Sequence, residues 1–185
     1  MSVRTIATAL ALTLASAGLA QAQAPKNTAQ AKPQQTQTVA PAPTRIQQFK
    51  AWGAYSYKSG ASTVCYVLSV PTTKEPASVD HGDIFFIVSQ RPGQNISYEP
   101  QAMMGYTMQA NSKVTVTIDK KNFTMFTKDK AAWVENAAEE PALVAAMKTG
   151  HAMSVAAVSG RGTKTSYNYS LQGIGAALKQ IESCK

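Results

Sequence analysis

His81-Gly82-Asp83 is where an imidazole and a carboxylate stand closest in the chain. A histidine oriented by an aspartate activates a nucleophile when a hydroxyl or thiol lies within hydrogen-bond reach. Positions i and i+2 face the same way only on a regular strand, and Gly82 argues for a loop. No Gly-x-Ser-x-Gly elbow supplies a serine, so the pair reads as part of a surface loop and no catalytic residue is assigned. His151 follows Gly150 at the start of a strand, far in sequence from His81. A tetrahedral metal site needs three or four ligands, and no His-x-His, His-x-x-x-His or Cys-x-x-Cys spacing occurs. Neither a metal nor a cofactor is expected.

Gly160-Arg161-Gly162-Thr163 resembles a phosphate loop only on the surface, because the Gly-Lys-Ser/Thr ending and the following helix are missing. It reads as a hairpin turn. Arg161 on that turn, with Lys164 beside it, is the one candidate for meeting an anionic partner. Trp52, Trp133, Tyr55, Tyr57, Tyr106, Tyr167 and Tyr169 could form a ligand face, but aromatics in a small β domain are more often core. Met103, Met104 and Met108 read as core filler before they read as copper ligands.

The elements that carry these residues are short and punctuated by turns. Lys113 to Ile118 alternates strictly, with Val114, Val116 and Ile118 inward. Asp119 to Asn122 turns the chain into Phe123–Thr127, which predicts a hairpin. Asp83 to Arg91 is an apolar, β-branched and aromatic run, the strongest strand signal in the chain. Further strands are predicted over 49–57, 62–70, 102–108, 131–134, 152–158 and 163–169, with a short extended piece at 96–99 and Gly105 as a bulge or close packing point. Residues 72–82 read as a polar loop. Glu139 to Lys148 predicts a helix, with acidic residues and Pro141 in the first turn and Gly150 as its stop. Ser170 is expected to cap a final helix in which Leu171, Ile174, Leu178 and Ile181 share a face. Gly173 and Gly175 weaken that helix by about 1 kcal/mol each, so it must dock to persist. About nine strands and two helices predict a mainly β fold: an antiparallel β-sandwich or barrel-like domain with one internal helix and a C-terminal helix.

The N-terminus reads as a secretory signal. Arg4 is followed by an uncharged run from Ile6 to Leu19, too short and too weakly apolar to span a bilayer. Ala20-Gln21-Ala22 fits a small-x-small cleavage pattern, and the cut is expected between Ala22 and Gln23. Residues 23–45 form a Pro-, Gln- and Ala-rich linker without aromatics or periodicity. The folded domain is expected over 46–185. No later run reaches a transmembrane span. Two cysteines, Cys65 and Cys184, in an exported chain predict one disulfide. The net charge of +8 falls to +7 on loss of Arg4. That basic balance suits acidic lipid head groups, lipopolysaccharide phosphates or acidic partners, although a solvated basic surface is the plainer reading. The lysines are scattered and no arginine stripe appears, which argues against nucleic acid.

In one order, these features resemble the invasion-associated locus B (IalB-like) family of alphaproteobacteria. They are the signal, the linker, Trp52, Cys65 before a strand, Asp83-Ile-Phe-Phe-Ile-Val-Ser-Gln-Arg-Pro92 and Gly105-Tyr106. Then come Ile118-Asp-Lys-Lys-Asn-Phe123, Ala132-Trp133, Ala146-Met-Lys-Thr-Gly150, Arg161-Gly-Thr-Lys-Thr165 and Tyr169-Ser-Leu-Gln-Gly173 with a terminal cysteine. The resemblance covers residues 46–185. It implies a periplasmic or outer-membrane location and, in pathogens, an association with entry into host cells. It implies no catalytic residues. Three functions compete: a non-enzymatic envelope protein with an unknown envelope or host-surface partner, an envelope hydrolase, and a small-ligand carrier with an apolar interior. The first is preferred.

Overall fold

The computed structural model describes residues 42–184. The expected signal segment, the Ala22–Gln23 cleavage position and most of the expected linker lie outside those residues.

Among the described residues, eleven strands follow one another. They are β1 (Thr44–Phe49), β2 (Trp52–Ser59), β3 (Ser62–Ser69), β4 (Thr73–Glu75), β5 (Phe85–Arg91), β6 (Ile96–Met103), β7 (Lys113–Ile118), β8 (Lys121–Lys128), β9 (Ala131–Val134), β10 (Ala152–Val158) and β11 (Lys164–Ser170). Helix α1 (Glu140–Thr149) lies between β9 and β10, and α2 (Ile174–Ile181) follows β11. All strand pairings are antiparallel, in one open sheet of order β1-β2-β3-β5-β6-β9-β8-β7-β10-β11-β4. The expected mainly β architecture, with one internal and one C-terminal helix, is thus observed. Between the sandwich and barrel forms, the chain adopts a single sheet with edges at β1 and β4.

Strands far apart in this order meet across the core, so the sheet folds over on itself. The Trp52 indole Nε1–H on β2 donates to the Ser170 carbonyl on β11 at 2.9 Å. Phe86 on β5 lies edge-on to Tyr169 on β11, with ring centroids 6.0 Å apart. Trp52, Phe86, Tyr167, Leu178 and Ile181 are among the fully buried side chains of one contiguous core. Alternation produces this directly in β7, where Val114, Val116 and Ile118 are buried and the residues between them face outward. Asp119 takes a left-handed φ of 52° in the turn that pairs Ile118 with Lys121, a conformation aspartate tolerates.

The helices close what the sheet leaves open. α2 packs against β1, β2, β3 and α1, while α1 lies on β6. On α2, Ile174, Ala177, Leu178 and Ile181 are buried at helical spacing, and Leu171 is buried just before them. Cys184, beyond the end of α2, is bonded to Cys65 in β3 across 119 residues, with the Cα atoms 5.9 Å apart. Closing a loop of that length restricts the unfolded chain by about 4–5 kcal/mol in the entropy model.

Several boundaries differ from expectation. β1 starts at Thr44, so two residues placed in the linker belong to the sheet. The strand expected over 49–57 is a hairpin of β1 and β2, turning at Lys50 with φ 50°. Residues 73–75, expected in a loop, form edge strand β4 against β11. The piece at 96–99 and the start of the strand at 102 are one strand, β6. It runs through Pro100, which sits where pairing with β9 has not yet begun. Residues 104–108 are irregular except for a bridge from Met108 to Ser159. Ser170 ends β11 and does not cap α2. The cap is Gly173 at φ 95°, where a β-carbon would lie 2.7 Å from the Phe49 carbonyl carbon. Only glycine suits both conditions.

Candidate functional site

Three segments distant in sequence enclose a cleft of about 600 Å³: the loop before β5, the irregular stretch after β6, and the β10–β11 turn. Each wall is fixed by backbone contacts. Gly82 at φ 59° packs against Gly105, where a β-carbon would lie 2.6 Å from the Asp83 nitrogen. The Gly82 N–H donates to Asp80 Oδ1 at 2.8 Å, and Lys74 Nζ donates to the Gly82 carbonyl at 2.9 Å. Opposite, the Gly160 N–H donates to the Thr107 carbonyl at 2.9 Å, and the Gly162 N–H to the Ser159 carbonyl at 2.8 Å. Gly162 takes φ 82° there, as a tight hairpin turn requires.

Beneath the cleft runs a chain of polar side chains. His81 is buried. Its Nε2 meets the Pro76 carbonyl at 3.0 Å and its Nδ1 meets the Tyr167 hydroxyl at 2.8 Å. Tyr167 continues to the Tyr106 hydroxyl at 3.0 Å, Tyr106 to Thr165 Oγ1 at 2.6 Å, and Thr165 to the Ala157 carbonyl at 3.3 Å. Both ends are carbonyls, which only accept. The three hydroxyls and a neutral imidazole bring four protons to five contacts, so one contact lacks a hydrogen. Burial pushes the Tyr167 phenol up from its ordinary value, and the neighbouring Tyr106 adds to the shift while Thr165 opposes it. Tyr169 is pushed up in the same direction, first by burial and then by Tyr167 and Tyr106. Its hydroxyl has no hydrogen-bond partner among the described residues.

His81 and Asp83 are not brought together as a pair. His81 is turned into the interior while Asp83 is exposed. His81 does lie in a loop, but its expected place on the surface is corrected: it is buried and belongs to the polar network. His151 lies elsewhere, exposed, with its backbone N–H donating to Asp119 Oδ1 at 3.1 Å. That bond, foremost, holds the Asp119 carboxyl below its ordinary value. Arg161 is exposed and lines the cleft. Lys164 is exposed too, but it neighbours the inward Thr165 on β11 and does not line the cleft. Among the described residues no three His, Cys, Asp or Glu side chains gather as a metal site, and no helix is long and apolar enough to cross a membrane.

Of the aromatics weighed as a ligand face, Trp52, Tyr167 and Tyr169 are core, whereas Tyr106 lines the cleft. Tyr55 stacks on Tyr66 at 5.3 Å between ring centroids, and Trp133 on Phe126 at 5.7 Å. Sequence reasoning weighed Tyr106 only as one of several aromatics that could form a ligand face, and it missed Thr163 and Thr165 as cleft residues. The available signal was Gly105-Tyr106, since a glycine before an aromatic marks close backbone approach.

A family model described as "Invasion associated locus B (IalB) protein" matches residues 52–182, well over half of the 185-residue chain. No curated protein and no solved structure matches it.

Proposed function

Since the chain belongs to the invasion-associated locus B family, we propose that it is an exported, non-enzymatic envelope protein that acts by binding an envelope or host-surface partner. The family match carries this reading. Three features support it. Arg4 is followed by an uncharged run from Ile6 to Leu19 and a small-x-small site at Ala20-Gln21-Ala22. The Cys65–Cys184 bond suits an oxidising compartment. The basic net charge, +8 for the full sequence and +7 without Arg4, favours acidic surfaces, including lipopolysaccharide and acidic lipid head groups. The non-enzymatic part rests on His81, whose two ring nitrogens are both engaged by Tyr167 and Pro76. No serine, cysteine or carboxylate is hydrogen-bonded to it among the described residues. A role in host-cell entry is the narrower form of the same proposal, for a bacterium that has a host.

The test is fractionation of cells expressing the tagged chain, followed by cross-linking in intact envelopes at low salt. Recovery of the processed protein in the envelope fraction with a reproducible cross-linked partner is expected. Retention of unprocessed protein in the cytoplasm, or envelope protein with no reproducible partner, overturns the reading.

A further inference from the structure

We propose that the cleft between the 79–81 loop and the 159–165 turn binds an acidic sugar, a hexose ring carrying one carboxylate or phosphate, with Arg161 taking the anion. This deepens the binding role proposed above and rests on it for the origin of the ligand.

The chemistry of the lining selects the class. A volume of about 600 Å³ lies within the usual range for small-molecule sites and admits one or two sugar rings. Arg161 and Asp80 supply the guanidinium and the carboxylate of the lining, beside the hydroxyl-bearing Tyr106, Thr107, Ser159, Thr163 and Thr165. Arg161 and Asp80 form no ion pair with each other or with another group among the described residues. A free guanidinium in a concave site offers forked donors to a carboxylate or phosphate. The Asp80 carboxylate, one oxygen of which already accepts from the Gly82 N–H, repels a bare multivalent anion, while its other oxygen can accept from sugar hydroxyls. Together they call for a ligand with one acidic group and several O–H donors. Val79, 39% exposed, supplies a small apolar surface for the C–H face of a ring.

The site is also held in shape before any ligand arrives. Tyr106 is fixed by Tyr167 and Thr165, and the Arg161 turn is bonded to Thr107 through Gly160. Preorganised donors and acceptors lower the ordering cost of binding.

The test is titration of the purified full chain, disulfide intact, followed by calorimetry and by amide chemical shifts. The probes are D-glucuronate, D-galacturonate, glucose 1-phosphate, glucose and inorganic phosphate. At least one acidic sugar is expected to bind, with glucose and inorganic phosphate at least about tenfold weaker. A response to the uronates alone assigns a carboxylate ligand, and one to glucose 1-phosphate alone assigns a phosphorylated one. Arg161→Gln should weaken binding about tenfold or more, and Thr163→Val should weaken it less. Lys164→Gln, outside the cleft, should leave it unchanged. The proposal is overturned if no acidic sugar binds by about 10 mM, if inorganic phosphate binds as well as the sugars, or if Arg161→Gln has no effect. Should acidic sugars fail while a cross-linked envelope partner persists, the cleft assignment falls and the broader binding role stands.

Discussion

Gly82 and Gly105 touch backbone to backbone: a β-carbon on Gly82 would lie 3.1 Å from the Gly105 Cα. This contact sets where the His81 loop meets the stretch carrying Tyr106, and so sets one wall of the cleft. Gly105→Ala would place a methyl group against the main chain of residues 81–83, which can yield only by moving the loop. The expected loss is about 1–3 kcal/mol of stability, read as a lower urea midpoint. Weaker binding of any cleft ligand should accompany it.

Tyr167 and Tyr169 alternate along β11 and are both buried, yet their hydroxyls differ. Tyr167→Phe leaves His81 Nδ1 and the Tyr106 hydroxyl without their shared partner, at a cost of about 1–3 kcal/mol. Tyr169→Phe removes a hydroxyl that has no partner among the described residues, and it should be neutral or stabilising. Equilibrium urea unfolding of the two variants measures the contrast. Equal losses would mean that the polar chain contributes nothing specific.

Reduction of the Cys65–Cys184 bond should lower stability by about 2–5 kcal/mol. The Cys65→Ala/Cys184→Ala double variant should behave like the reduced protein. Denaturant midpoints with and without reductant give the value. The strand content should survive in circular dichroism, because β3 keeps β2 and β5 as neighbours.

Alkaline pH should destabilise the fold through its phenols. Burial, and then the neighbouring Glu182 carboxylate, push Tyr98 up to about 12 from 10.0, and burial raises Tyr167 and Tyr169 as well. A group whose pKa rises on folding contributes its stability in full below the unfolded value, and that contribution fades as pH climbs through the folded value. Stability should therefore hold up to about pH 10 and fall above it. Phenolate absorbance near 295 nm should show these tyrosines ionising late, together with unfolding. Ionisation of every tyrosine near pH 10 in a folded chain would contradict the burial.

Much of the fold was legible because periodicity reports burial locally. Val114, Val116 and Ile118 declared their face, and Leu171, Ile174, Leu178 and Ile181 declared theirs. The disulfide followed from cysteine count and the expectation of export. What failed to show were features decided by distant neighbours. Thr73–Glu75 is polar and exposed, and only the presence of β11 makes it a strand. Ser170 satisfied a capping pattern, but pairing with Ala152 kept it in the sheet. His81 looked like a surface residue because its partner Tyr167 lies 86 positions away. The cleft was invisible for the same reason, with Arg161 marked only by its charge and Tyr106 only as one aromatic among several.

The covering of β2 and β3 comes from residues made more than a hundred positions later. Ser170 accepts from the Trp52 indole, α2 lies over the strands, and Cys184 fastens to Cys65. Until that late segment arrives, a growing or threading chain keeps its earliest strands uncapped, and premature closure is impossible. A stop a dozen codons early would therefore do more than shorten the protein: it would strip the apolar interior of its lid and leave a lone thiol beside it.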